Sequence, residues 1–571
     1  MTSRNIVIWG AGKIGRGFIG DLFHAADYRQ VFVDAAPALV ESLRQHAHYP
    51  VIHASGRGAV ETVTVEGYTA LHTSEAQALQ DELNRADLVA VTVFPKYFEE
   101  VAAELQRMIL KRFETAGPAP LDILLCTNLI HAGPKFFDLL VAGLSGPERE
   151  QIQACVGIVE TLIIRISPEL NGQSQERHPL AVLTNGYPTL PVDRQAFKGE
   201  IPQVPSLRLV ENMRAEEIRK IYTYNMCHAL LAYHGAFYSY ELLIDCLADA
   251  RLMAEARAAL AEISQALELE YGFTAEEMAE WVDTVIEHTN NDVVRDTAAR
   301  SAADPLRKLK RDDRLLGPAL LCLKHGIQPQ ALIRAIGAAF HYRSESDPES
   351  TGLQDLIQQN GIAQTAREVC GLTEDDVDLL KSILDAYIRV PIEADWAKNV
   401  AKARALGFEY EKVYHGCGQS VIAAVTETLD IFDETVFQAA TGLCGGIGLV
   451  NDSTCSAYSG SVLVIGMVIG RSRALFGGAR AEKYANYELC QRLRDKMRAE
   501  YGTTWCGGIH TKNYGRAYDL TDRDERELFE AAGAHDFGCT NVVGNCAAWT
   551  VELLAEVLIE REVESKMENR G

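Results

Sequence analysis

A chain of 571 residues is longer than one hydrophobic core accommodates and divides into two to four domains. Its 47% hydrophobic and 23% charged residues fit a globular protein, and a net charge of −24 argues against DNA, RNA or an anionic membrane as the main partner. The apolar run Ser461–Ile469 is too short to span a bilayer, and no export signal is visible, so the thirteen cysteines are expected as cytoplasmic thiols.

The first element predicted is a strand, Ile6–Trp9, turning directly into Gly10-Ala-Gly12-Lys13-Ile14-Gly15. Gly10 permits the tight turn, Gly12 lets backbone approach a pyrophosphate, and Gly15 allows close helix–strand packing. Amides at the start of the following helix, around Lys13 and Ile14, can hold that pyrophosphate. A second strand, Val31–Val33, ends in Asp34, which can accept hydrogen bonds from an adenosine ribose and repels a 2′-phosphate. NAD is therefore the expected cofactor, with nearby Arg29 the one feature weakening the case against NADP.

Further strands at Leu88–Phe94 and Ile123–Cys126, with a helix over Phe98–Arg112, predict an α/β Rossmann domain over 1–206. From 207 to 407 the pattern becomes helical, with apolar residues every three to four positions in Glu216–His234, Ala248–Glu268 and Glu374–Ala386. Polar segments at Ser344–Gly352 and Pro391–Gly407 read as seams. A cysteine-rich, helical C-terminal domain is expected over 408–571, where residues 417–571 hold seven cysteines among glycine clusters.

Hydride removal from an alcohol needs a base for the hydroxyl proton. In Glu217-Ile-Arg-Lys220-Ile-Tyr-Thr-Tyr-Asn225-Met-Cys-His228, α-helical geometry puts Lys220 and His228 about 80° apart and Asn225 about 60° to the far side of His228. Desolvation lowers a lysine pKa, so Lys220 can take the proton, and as an ammonium can return it in reduction. Asn225 and Asn128 can donate to the developing oxyanion, His228 can orient the lysine or a substrate hydroxyl, and Glu217 can relay a proton. The same pattern also allows a solvated lysine paired with Glu217, a core histidine, and a helix-capping Asn128.

Gly10 to Gly20, Phe197-Lys-Gly-Glu-Ile-Pro202, Asp304-Pro-Leu-Arg-Lys-Leu309 and the Lys220–Asn225–His228 spacing resemble the polyol-specific long-chain dehydrogenases over roughly 1–390. Within them the chain resembles the mannitol-1-phosphate 5-dehydrogenase subgroup. The resemblance implies Lys220 as acid/base, Asn225 and Asn128 as oxyanion donors, and Glu217 as the glutamate preceding the lysine. It implies an NAD-dependent oxidoreductase interconverting a secondary alcohol and a ketone on a polyol phosphate or sugar phosphate. Departures fall at Ile164, Asn185 and His288–Asn291, segments that help shape the substrate pocket. Arg165, Arg307, Lys308, Lys310, Arg311 and Arg314 are the candidate phosphate contacts. The alternatives are a non-phosphorylated sugar acid or sugar conjugate as substrate, or an NAD-binding thiol redox sensor.

No Cys-x-x-Cys pair occurs in the tail, so its cysteines either converge from a distance on a metal or iron–sulfur cluster, form a reversible disulfide, or pack as small hydrophobes. Gly416-Cys417-Gly-Gln, Cys444-Gly-Gly, Thr454-Cys455-Ser-Ala-Tyr-Ser-Gly460, Cys506 and Cys539 resemble a small helical redox family named for the pattern C-GCAxxG-C-C. That resemblance implies electron-carrying or metal-binding cysteines.

Overall fold

Strand β1 (Asn5–Trp9) puts Ile6 and Ile8 on one face and Val7 and Trp9 on the other, and all four are buried. Burial of both faces marks a parallel sheet covered on each side. The computed structural model, which describes residues 4–55, 60–127, 129, 131–168, 178–478 and 480–568, bears this out. The chain continues through β2 (Arg29–Asp34), β3 (His48–Ala54), β4 (Val60–Glu66), β5 (Thr69–His72), β6 (Leu88–Val91), β7 (Leu121–Leu125) and β8 (Val156–Glu160). Six of these form a sheet in the order β5-β2-β1-β6-β7-β8, with every pairing parallel. Ile6, Ile8, Phe32, Ala90 and Leu124 pack into one core, and Val7, Val33, Val89, Ile123 and Leu125 into the other.

The strand order reverses between β1 and β6, which opens a crevice at the carboxyl ends of the strands. Thr92, just past β6, stitches that crevice: its hydroxyl donates to the carbonyl of Gly10 at 2.6 Å. Two features escaped the sequence reading. The antiparallel pair β3–β4 joins β9 (Val182–Thr184) in a three-stranded sheet, and β10 (Leu190–Asp193) pairs in parallel with β11 (Leu207–Val210).

The chain divides into two compact units, residues 1–380 and 381–571. After β11 the first unit is helical, including Met213–Lys220, Met226–Ala236, Ala250–Tyr271 and Ala275–Thr289. The last begins with a Thr274/Glu277 capping box, which satisfies two of its orphan amides. Of the expected seams, Ser344–Gly352 is non-helical as far as Asp347 and then enters the helix Pro348–Cys370, while Pro391–Gly407 lies within the 38-residue helix Val377–Tyr414.

The second unit packs the helices Cys417–Thr428, Ser456–Ile469, Arg480–Tyr501 and Cys539–Glu568 around Val421, Val425, Val464, Ile465, Leu493, Val543 and Val551. Gly460 lets two helices touch, since a Cβ there would lie 2.4 Å from the Gly418 carbonyl. Ala534–Glu568 has the length and apolarity of a membrane span, but Val543, Cys546, Val551 and Leu554 on it are buried in this core.

The two glycines of the first turn differ sharply. A Cβ on Gly15 would sit 2.0 Å from the Gly10 carbonyl, whereas one on Gly12 meets nothing within 4 Å. Gly15→Ala should therefore cost about 1–3 kcal/mol in urea unfolding, and Gly12→Ala less than about 0.5 kcal/mol; equal losses would contradict this packing.

Candidate functional site

The crevice at the end of β1 is built from backbone. Gly10 takes φ +108°, a conformation costly for any side chain, and its amide bonds the Val33 carbonyl at 2.7 Å. Gly12 is exposed with open space where its side chain would be, and Lys13 and Ile14 begin the helix, both half-buried. Asp34 ends β2 and is fixed by two amides: Ala11 donates to one carboxylate oxygen and Ala36 to the other, each at 2.8 Å. A carboxylate so held keeps lone pairs for a hydroxyl ligand. Arg29 does not compete there. It pairs with Asn5 at the opposite end of the strand and gives its guanidinium to Glu82 at 2.5 and 2.8 Å. Open backbone at Gly12, helix amides and the Asp34 acceptor fit a dinucleotide with a free 2′-hydroxyl.

Lys220 ends the helix Met213–Lys220 and is buried. Its ammonium donates to the carbonyl of Ile163, three residues beyond β8 and so past the carboxyl edge of the sheet. Burial pulls the amine down to about 8, aided by the charge of Arg314 and opposed by Glu217. Glu217, one turn earlier, moves the other way, to about 7, through burial and then repulsion from Glu160. Arg214, the His131 amide and Lys220 restrain that rise. Acid and base are thus brought close in proton affinity, the condition for easy transfer between them.

Lys220 is followed by a π-helical segment, Ile221–Asn225, whose exit is marked by the Met226 amide bonding the Ile221 carbonyl five residues back. An α-helix would set Asn225 about 140° from Lys220. Winding one turn in i→i+5 steps instead brings the half-buried Asn225 round toward the lysine side. The angles from uniform α-geometry are corrected accordingly, because the extra residue resets the register.

His228 occupies a separate niche. Its Nε2 lies 3.0 Å from the Thr289 hydroxyl, its Nδ1 3.5 Å from Asp296, and its ring 4.8 Å from that of Tyr224. Burial lowers it to about 4 despite Asp296, so it is neutral at physiological pH. The charge of Arg314 acts on both Lys220 and His228 and so couples the two niches electrostatically. Asn128 lies outside the described residues. The Ile163 carbonyl, Glu160, Thr289 and Asp296 were missed by sequence reasoning, and Arg314 was read only as a candidate phosphate contact; of those missed, only Glu160, an acid ending a buried strand, carried a signal.

The divergent segments meet in space. Asn185 approaches His288 at 3.4 Å and accepts from the Ile166 amide, while Asn291 holds the Ala54 carbonyl and Ile164 is buried. The basic candidates other than Lys310 are engaged elsewhere. Arg165 donates to Asp21 and the Gly17 carbonyl, Arg307 to Asp304 and Asp313, Arg311 to Asp376, and Arg314 to Asp313. Lys308 gives its ammonium to the carbonyls of Ser301 and Ala303, and Lys310 is exposed.

In the second unit all seven cysteines are free thiols. Five, Cys417, Cys444, Cys455, Cys506 and Cys539, line one cavity of about 190 Å³. Burial raises Cys455, Cys506 and Cys539, while hydrogen bonding from Cys417 is the main cause that lowers Cys444. Cys546 is instead a core residue.

Residues 4–206 match the mannitol dehydrogenase Rossmann domain, residues 212–403 the mannitol dehydrogenase C-terminal domain, and residues 415–553 a family described as "Putative redox-active protein (C_GCAxxG_C_C)". Among solved structures, a D-sorbitol dehydrogenase in substrate-free form superposes with a TM-score of 0.60 at 15% identity, covering 68% of this chain and 93% of that one. A Pseudomonas fluorescens mannitol 2-dehydrogenase, solved with NAD and D-mannitol, gives 0.54 at 16% identity over 68% and 91%. These likenesses establish a shared fold. Through residues 4–403 the chain belongs to the mannitol dehydrogenase family of polyol dehydrogenases, here fused to a cysteine-rich C-terminal domain.

Proposed function

We propose that the protein oxidises a secondary alcohol of a non-phosphorylated polyol or sugar to the ketone, and catalyses the reverse, with NAD. The observation that carries this reading is the buried Lys220 amine at the carboxyl edge of the sheet, lowered to about 8 beside a Glu217 raised to about 7. Gly10, Gly12, Lys13, Ile14, Gly15 and Asp34 would hold the dinucleotide; NAD, when bound, takes the hydride of the carbinol carbon. Lys220, as the free amine, accepts the hydroxyl proton and exchanges it with Glu217. Asn225 donates to the oxygen as its charge develops, with Asn128 as the second donor. His228, neutral and with its two ring nitrogens facing Thr289 and Asp296, steadies the helix that follows Asn225 rather than reaching the substrate.

Absence of phosphate on the substrate is supported by the internal partners of Arg165, Arg307, Lys308, Arg311 and Arg314, each of which would have to abandon a carboxylate or carbonyl to bind it. The dehydrogenases of like fold were solved as D-sorbitol and D-mannitol enzymes, which points the same way.

Lys220→Ala should lower kcat for alcohol oxidation by about 10²–10⁴ with NAD affinity unchanged in a binding titration; an unaltered kcat removes it as the base. Because the amine must be neutral to accept a proton, oxidation should rise with pH through about 8 and ketone reduction should fall over the same range, as initial rates in both directions will show. Across a panel of polyols, sugars and their phosphates monitored by NADH absorbance, the unphosphorylated compounds should give the higher kcat/KM; a reversed order would overturn the substrate assignment. Asp34→Ala should weaken NAD binding and narrow the preference over NADP, read from paired Kd values.

A further inference from the structure

The cysteine-lined cavity also has groups of a different kind in its wall. His415, Glu530 and His535 line it, and their ligand atoms all lie within 4.8 Å of one another. Among the described residues this is the one place where three such groups gather so closely; the thiols surround the cavity without doing so. A single oxygen of Glu530 faces both imidazoles, 2.6 Å from Nδ1 of His535 and 3.9 Å from Nδ1 of His415. The two rings stand edge to face with centroids 3.8 Å apart.

Behind this group is a carboxylate of the kind that supports metal ligands. Glu411 is 1% exposed, accepts from the Ser420 hydroxyl at 3.0 Å, and lies 3.7 Å from Nε2 of His535. Histidines that bind metal through one nitrogen characteristically give the other N–H to a carboxylate, which fixes ring orientation and raises donor strength. Arg526, the cation on the same cavity wall, gives its guanidinium to the carbonyls of Leu520 and Thr521.

We propose that His415, His535 and Glu530 bind one borderline first-row divalent cation of the zinc class, with Glu411 orienting His535 from behind. Two imidazoles and one carboxylate suit such a cation rather than a hard one, and three protein ligands leave a coordination position free. All three ligands share their cavity with five cysteines, so a ligand entering the cavity meets both metal and thiols.

The test is a titration of chelator-treated, full-length protein with Co²⁺ alone, following bound metal per chain and visible absorption. One equivalent should bind with d–d absorption and no thiolate-to-cobalt charge transfer. His415→Gln, at an exposed position, and His535→Gln should each weaken binding about tenfold or more, and Glu411→Gln about 10–100-fold, with far-UV circular dichroism unchanged for His415→Gln. Cys417→Ser and Cys444→Ser should leave binding intact. No binding, binding retained by both histidine variants, or thiolate charge transfer abolished by the cysteine variants would each overturn the site.

Discussion

The chemistry depends on removing one amine from water. An exposed lysine remains an ammonium near neutral pH and accepts no proton. At Lys220 the cost of burying charge, together with the field of Arg314, moves the amine down, while Ile163 supplies the carbonyl that keeps it anchored. The same burial lifts Glu217, with Glu160 behind it, so the two groups approach one another in affinity from opposite directions. Neither shift needs an unusual contact; both follow from packing a polar helix end against the edge of a sheet.

That edge was the most legible part of the chain. Gly10 and Gly15 carry distinct steric demands, and Asp34 closes the apolar run Val31-Phe32-Val33, so local sequence sufficed. The lysine site was half legible. Its residue types and spacing pointed to proton transfer, but its geometry did not follow, because the π segment breaks the uniform winding that angular arguments assume. Partners such as Ile163, Glu160 and Arg314 come from distant positions, and a backbone carbonyl leaves no trace in composition. The arginine-rich segment 307–314 misled for a related reason: its acids, Asp304 and Asp313, stand beside the bases and neutralise them locally. Pro391 misled too, since a long helix absorbs one proline when its neighbours are packed.

The C-terminal unit shows a different limit. Its cysteines are far apart in sequence, and only the folded chain gathers five of them round one cavity. The segment bearing Cys444 continues through Gly445, Gly446, Ile447, Gly448, Leu449 and Asn451 with φ between 60° and 69°. Ile447 is β-branched, and such a residue adopts this conformation only where surrounding structure holds it there. The backbone is therefore under tension directly beside the thiol that the Cys417 hydrogen bond favours as thiolate.

The wider turn after Lys220 also shows how this helix can change length through descent. Loss of one residue between Ile221 and Asn225 would restore ordinary winding, and the shorter path and tighter turn would nearly cancel, since four α steps of about 100° turn the chain almost as far as five π steps. His228 would then keep its Thr289 and Asp296 partners. The wide turn is a place where one residue can come or go while the groups on either side hold their facing.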